Sequence, residues 1–254
     1  MRTPIVTFVA LIMTLLLAPV VIGARLFGVK QGPTSIYSRC VRRWARAINR
    51  AAGVKVVVHG REHFHTDHGT VFVANHVSWF DIFALASEVP WCSFVAKAEL
   101  RKIPLFGFAA ECVGIVFLER ENRKQAFASY ELAAKEVQRG RGIIVCPEGT
   151  RGTDYHLRPF KKGPFVLAIA SQTPIIPTIV YGAIEVMPKG SFWIRGGKVD
   201  LHFLEPIATS GYDYDHRAEL MTETWTRMAD ALRALYSVHT SEHAIFPASQ
   251  DDKV

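Results

Sequence analysis

The stretch Asn75-His76-Val77-Ser78-Trp79-Phe80-Asp81 sets an imidazole and a carboxylate five positions apart, a pairing suited to general-base chemistry. A histidine takes up a proton near neutral pH when a partner fixes its tautomer and stabilises the imidazolium that forms. Asp81 is placed for that second role. The chain has no Gly-x-Ser-x-Gly elbow, and Ser78 reads as a helix cap. The base would therefore act on a hydroxyl of the substrate rather than of the protein. Taken alone, the pattern fits a capping aspartate beside an incidental histidine equally well.

Three further strand ends carry polar groups. Ile143-Ile144-Val145-Cys146 runs into Pro147-Glu148-Gly149-Thr150-Arg151, where Gly149 frees the backbone and Arg151 offers a planar fork suited to phosphate or carboxylate. Lys161 and Lys162 follow within reach of the same mouth, and an ordinary Pro-Glu-Gly turn with solvated charges is the plain alternative. Gly114-Ile115-Val116-Phe117-Leu118-Glu119-Arg120 delivers Arg120 to a loop, where a solvated arginine is the default. Pro174 to Gly182 is an apolar run whose internal Pro177 belongs at a strand start or bulge rather than mid-sheet.

These groups need a scaffold. Thr70-Val71-Phe72-Val73-Ala74 is β-branched, aromatic and apolar without a helical period, which predicts a buried strand with His76 at its carboxyl end. Ser78 and Asp81 give the Ser-x-x-acid start of a helix whose apolar face is Ile82, Phe83, Leu85 and Ala86. Imidazole and carboxylate thus meet at the sheet edge where open α/β folds bind ligands. Strands are expected at 54–59, 70–75, 92–97, 113–118, 142–146, 175–181 and 198–204, and helices near 79–88, 122–139, 163–172 and 214–238. That alternation predicts an α/β domain.

The 254 residues are 49% hydrophobic with 11% aromatics, enough for a core and unlike a disordered chain. The net charge of +7 is segregated: residues 1–61 hold ten Lys or Arg and no acid, and the remainder carries a net −3. This distribution points to a membrane surface, not to nucleic acid. Ile5 to Ala24 is free of charge and spans about 30 Å as a helix, roughly a bilayer's hydrocarbon core. It is long for a secretory signal, and Pro19 leaves open whether it spans or dips in and returns. From Ser35 to Ala52, Ile36, Cys40, Val41, Trp44 and Ile48 share one helical face and Arg39, Arg42, Arg43, Arg46 and Arg50 the other, as in a helix at an anionic surface. Such basic clusters stay on the cytoplasmic side, so an inner-membrane position with the catalytic domain facing the cytoplasm is expected. The expected division is 1–53 as membrane-binding segment, 54–245 as catalytic domain and 246–254 as a frayed tail.

The four cysteines form no Cys-x-x-Cys pair, and three sit in apolar runs, so neither a zinc site nor a disulfide framework is expected. His59, His63, His65 and His68 crowd one stretch without the spacing of a recognised ligand set and read as a surface loop. Trp79 and Phe80 read as core more than as the lining of an acyl groove.

In this order the four segments resemble the family of glycerolipid acyltransferases typified by 1-acyl-sn-glycerol-3-phosphate acyltransferase. His76 to Asp81 resembles its His-x4-Asp block, Gly114 to Arg120 its second, Pro147 to Arg151 its third and Ile176-Pro177 its fourth. Phe94-Val95-Ala96-Lys97-Ala98-Glu99-Leu100 is also similar and adds Lys97 as a phosphate contact. The resemblance implies one α/β domain with a mixed sheet flanked by helices. It implies that His76 deprotonates a glycerol hydroxyl, which attacks the thioester of acyl-CoA or acyl-carrier protein, with Asp81 orienting the base. Arg120, Glu148, Gly149, Thr150 and Arg151 would hold a lysophospholipid acceptor, and no metal or redox cofactor is needed. Two residues depart from the family's usual pattern, Glu119 beside Arg120 and Cys146 before Pro147. Glu119 brings negative charge to the expected phosphate site, which keeps a phosphate-free acceptor such as a lyso-ornithine lipid in view. A non-catalytic lipid-binding protein of the same fold is the alternative from another class.

Overall fold

The computed structural model describes residues 2–63, 69–118 and 123–240. Its strands are β1 (Val54–His59), β2 (Thr70–Ala74), β3 (Cys92–Lys97), β4 (Val116–Leu118), β5 (Gly142–Val145), β6 (Ile175–Tyr181) and β7 (Gly197–Phe203). They form one sheet in the order β1-β7-β6-β2-β5-β3-β4. Every neighbouring pair is parallel except β6 with β7. The sheet is therefore mixed, as the resemblance implied. The carboxyl ends of β6, β2, β5, β3 and β4 share one edge, and those of β7 and β1 lie at the opposite edge.

The period of two along β2 explains its central place. Val71 and Val73 enter one core with Ile143, Val145 and Ile175, while Phe72 and Ala74 enter the other with Ile144, Ile176 and Val180. A strand apolar on both faces has to be covered on both. Helices α5 (Arg123–Gln138), α6 (Gly163–Ser171) and α8 (Arg217–Tyr236) cover the Val71 and Val73 face, and α2 (Ile36–Ala52) and α3 (Trp79–Glu88) the Phe72 and Ala74 face.

Several details differ from the sequence reading. The strand expected at 113–118 is confined to Val116–Leu118, because Val113 and Gly114, with φ +93° at the glycine, form the turn closing the short helix α4 (Phe106–Cys112). Pro177 lies within β6, opposite Val73 of β2, and not at a strand start. Its carbonyl accepts from Leu204 N–H at 2.9 Å, so its own nitrogen points to the β7 side, just beyond the Thr178–Phe203 end of that ladder. No hydrogen bond to β2 is lost, which is why the proline is tolerated there.

Helix α1 (Thr3–Leu26) lies along α2 and α4. Thr3 Oγ1 donates to Phe192 O at 2.8 Å, Trp44 Nε1 to Thr14 Oγ1 at 3.0 Å, and Ala18 and Val21 pack with Tyr37, Cys40 and Cys112. Its outer face presents Ile5, Phe8, Leu11, Leu15 and Leu16. The arginines of α2 do not all face outward. Arg42 and Arg46 donate from Nε to Ser87 O, at 3.5 and 3.2 Å, near the carboxyl end of α3, where orphan carbonyls accept cations. Arg39, Arg43 and Arg50 remain exposed.

Candidate functional site

Two strand exits build the site. At the end of β2, Asn75 continues the pairing with β6 through its side chain: Oδ1 accepts from Val180 N–H at 2.7 Å and Nδ2 donates to Val180 O at 3.0 Å. The chain then turns into α3. Ser78 caps that helix by accepting from Phe80 N–H at 3.2 Å and donating to Met187 O at 2.7 Å, and Asp81 completes a capping box.

Asp81 does more than cap. Its Oδ2 accepts from Val77 N–H at 2.7 Å, from Ser78 N–H at 2.8 Å and from His76 Nδ1 at 2.8 Å. The aspartate is fully buried, whereas the histidine side chain retains 19% exposure. A proton on Nδ1 directed at the carboxylate leaves Nε2 with its lone pair, and Nε2 has no hydrogen-bond partner among the described residues. That is the arrangement of an oriented base open on one side.

The second exit, after β5, holds the backbone of the same histidine. Glu148 Oε1 accepts from His76 N–H at 2.9 Å, and Gly152 N–H donates to His76 O at 2.7 Å. Gly149 has φ +71°, the left-handed region that favours glycine, and a Cβ there would stand 2.9 Å from Lys161 Cε. The sharp turn and the lysine stem thus depend on the missing side chain. Arg151 lies with its guanidinium 5.3 Å from the ring centre of Trp79, and Arg158 Nη1 donates to Arg151 O at 3.3 Å. Trp79 is 39% exposed, so it borders the open side, while Phe80 is core as expected. Thr150 is exposed on the same loop.

Glu148 is only 7% exposed. Burial pushes its carboxyl up to about 7, against the opposing pull of the His76 and Arg158 amides and the Arg158 guanidinium. Between the ordinary value of 4.5 and about 7, the folded chain holds a proton that the unfolded chain has released. Stability therefore falls as pH rises through that window, by roughly 3 kcal/mol in all at ~1.4 kcal/mol per unit. Glu148→Gln keeps an oxygen for the His76 amide and removes the titration. Melting curves from about pH 4 to 8 are expected to show the variant gaining on the wild type as pH rises; parallel curves would contradict the buried carboxylate's contribution.

His76, Asp81 and Glu148 are thus brought into direct contact, with Gly149, Thr150 and Arg151 on the adjoining loop. Lys97 is the last residue of β3 and exposed, on the same sheet edge but two strands from β2, about 10 Å at the usual strand spacing. Arg120 and Glu119 lie outside the described residues, as do His65, His68 and the tail 246–254. Sequence reasoning missed the clasp of Asn75 on Val180 and the bond from Glu148 to His76 N. Their partners are 105 and 72 residues away, and only the strand order joins them.

A family model described as Acyltransferase matches residues 55–181, a range that contains His76, Asp81 and Glu148 to Arg151. A Caenorhabditis elegans protein, provisionally assigned as a 1-acyl-sn-glycerol-3-phosphate acyltransferase, is 34% identical over 171 residues, 66% of this chain and 61% of that protein. The 1-acyl-sn-glycerol-3-phosphate acyltransferase of Saccharomyces cerevisiae is 32% identical over 170 residues, 65% of this chain and 56% of the yeast protein. The chain thus spans about three fifths of the length of these curated relatives. The crystal structure of the 1-acyl-sn-glycerophosphate acyltransferase from Thermotoga maritima matches with a TM-score of 0.70 and 27% identity, over 94% of this chain and all of the other.

Proposed function

This chain belongs to the acyltransferase family, and from that premise we propose that it transfers a fatty acyl group from acyl-CoA or acyl-carrier protein to the free hydroxyl of 1-acyl-sn-glycerol-3-phosphate, giving phosphatidate. The observation that carries this reading is the 2.8 Å contact between His76 Nδ1 and Asp81 Oδ2, with no enzyme nucleophile beside Nε2 among the described residues. Nε2 accepts the glycerol hydroxyl proton as the oxygen attacks the thioester carbonyl. The tetrahedral intermediate then expels the thiolate, which takes the proton back from the imidazolium. An acyl–sulfur bond is exchanged for an acyl–oxygen bond with no change in oxidation state, so the reaction calls for no redox cofactor. General-base assistance contributes about 10² to 10⁴ in rate, and positioning of two amphiphiles supplies much of the rest.

Arg151 and Lys97, with Arg120 from the family resemblance, are assigned to the acceptor phosphate. A panel of lysophosphatidate, other lysophospholipids and lyso-ornithine lipid, scored by transfer rate, tests this assignment. Lysophosphatidate is expected to be preferred. Exclusive use of the phosphate-free lipid would remove the arginines from that role, and transfer to none would favour a lipid-binding protein.

The protein works at a membrane in this reading, on the cytoplasmic side of the inner membrane. The support is an α1 whose uncharged run from Ile5 to Ala24 includes an 18-residue stretch with a mean hydropathy of 2.8, yet which is packed on one face and tied to the globular part near its start. A helix held this way lies along the surface more naturally than it crosses the bilayer. Next to its amino end, Phe192 and Trp193 are 81% and 57% exposed, flanked by Lys189 and Arg195. Aromatic rings beside basic groups suit the headgroup layer. Phe192→Ser with Trp193→Ser is expected to weaken binding to vesicles containing anionic lipid by about tenfold or more, given roughly 1.5 to 3 kcal/mol for burying one such side chain. Unchanged co-sedimentation would place the membrane contact elsewhere.

A further inference from the structure

On the sheet edge away from His76, β1 and β7 pair in parallel with His59 opposite His202. Residues two apart on a strand face the same way, so Asp200 shares the face of His202, and the register adds His59 to them. One ring nitrogen from each histidine and one carboxylate oxygen of Asp200 all lie within 4.8 Å of one another. The two imidazoles stack with centres 4.2 Å apart and planes 7° from parallel. His59 Nε2 is 3.0 Å and Lys198 Nζ 2.8 Å from Asp200 Oδ1, and the Tyr236 hydroxyl is 2.6 Å from His202 Nε2. The two histidines border a cleft of about 630 Å³ that Glu62, His63, Glu205, Arg227 and Asp230 also line. None of these side chains has a part in the proposed acyl transfer.

We propose that His59, Asp200 and His202 form a binding site for a divalent transition-metal ion of the zinc class. The donor set argues for that class. Two imidazoles and one carboxylate suit zinc and its neighbours, whereas magnesium and calcium prefer oxygen ligands alone. Bonds of about 2.1 Å put tetrahedral ligand atoms ~3.4 Å apart, so no pair needs to close by more than about 1.4 Å, within the reach of side-chain rotation on a fixed pair of strands. The half-exposed His59 leaves water access to a fourth position. The Tyr236 hydroxyl orients the His202 ring, as outer partners of metal-binding histidines do. Without an ion, the Lys198 ammonium occupies the carboxylate. Its side chain is 59% exposed and free to swing aside when a divalent ion displaces it.

The consequence is structural. Among the described strands β1 pairs only with β7, and it joins α1 and α2 to the sheet. An ion shared by both strands fastens that edge, and it raises the melting temperature because the ligands are gathered only in the folded chain. This site and the transfer reaction stand or fall separately.

Zinc chloride titrated calorimetrically into the metal-stripped full chain in detergent tests it, with melting temperature as a second readout. The wild type is expected to take up one equivalent and to melt higher. His59→Gln, at an exposed position, is expected to lose at least about tenfold in affinity, since removing even the outer partner of a metal ligand costs about 10- to 100-fold. Lys198→Met removes the competing ammonium and is expected to bind more tightly. His216→Gln, outside the cluster and paired with Asp213, is expected to match the wild type. Absence of stoichiometric uptake by the wild type, equal affinity in His59→Gln, or no gain in Lys198→Met would each overturn the site and leave a plain His-Asp-Lys ion-pair network.

Discussion

Asp81→Asn is expected to lower kcat by about 10² to 10⁴ and to destabilise the fold by about 1 to 3 kcal/mol. Both effects come from one oxygen. Asp81 Oδ2 accepts three hydrogen bonds, from the His76 ring and from the amides of Val77 and Ser78, in a fully buried position. An asparagine can offer its carbonyl oxygen to the amides, but it loses the charge that strengthens such bonds and that offsets an imidazolium. Its amino group would fall where Asp81 Oδ1 is buried without a partner among the described residues, leaving an unpaired donor. The loss of stability separates the capping role from the catalytic one: melting should show it in the absence of substrate, and single-turnover rates should show the loss in kcat well below the melting temperature. A variant that melts early yet transfers at the wild-type rate would confine Asp81 to capping.

His76→Ala separates the two roles from the other side. The ring is partly exposed, and the backbone bonds that hold this residue, from its N–H to Glu148 and from Gly152 to its carbonyl, do not involve the side chain. Truncation leaves the Asp81 carboxylate with its two amide donors, so the helix cap persists. The melting temperature should move little, KM for both substrates should stay within about a factor of three, and kcat should fall by about 10² to 10⁴. A large rise in KM with unchanged kcat would recast His76 as a binding residue.

The inner strands β2, β5 and β6 were legible because each is a short, largely apolar run, as fits strands covered on both faces. Helix α3 was legible from Ser78 and Asp81, whose capping box the structure bears out. The helices α4 and α7 (Ala183–Val186), seven and four residues long, were not anticipated, since neither has room for a helical repeat to declare itself. Pro177 was misplaced because its effect depends on which neighbour its nitrogen faces, and that is a property of strand order. Trp79 was read as core with Phe80, but adjacent helix positions point about 100° apart, and only Phe80 turns inward. The arginine face of α2 was read as wholly outward; Arg42 and Arg46 turn to α3 instead, a tertiary contact with no local signature.

Within the candidate site, the local pair His76 and Asp81 was readable from five positions of spacing. The support from Glu148 was readable only as a polar strand end, because its bond to His76 requires β2 and β5 to lie side by side. The second cluster shows the same limit more sharply. The histidine-rich stretch around His59 has no local ligand spacing and reads as a surface loop, whereas pairing of β1 with β7 joins His59 to residues 141 and 143 positions further on.

The most direct measurement follows labelled phosphatidate formed from a labelled acyl thioester and 1-acyl-sn-glycerol-3-phosphate by the purified full chain, with His76→Ala run beside it. Wild-type protein is expected to form the product in proportion to enzyme and acceptor, and His76→Ala to form it at the background rate. Equal product from both proteins would contradict a histidine base at the end of β2, and no product from either would contradict the proposed reaction.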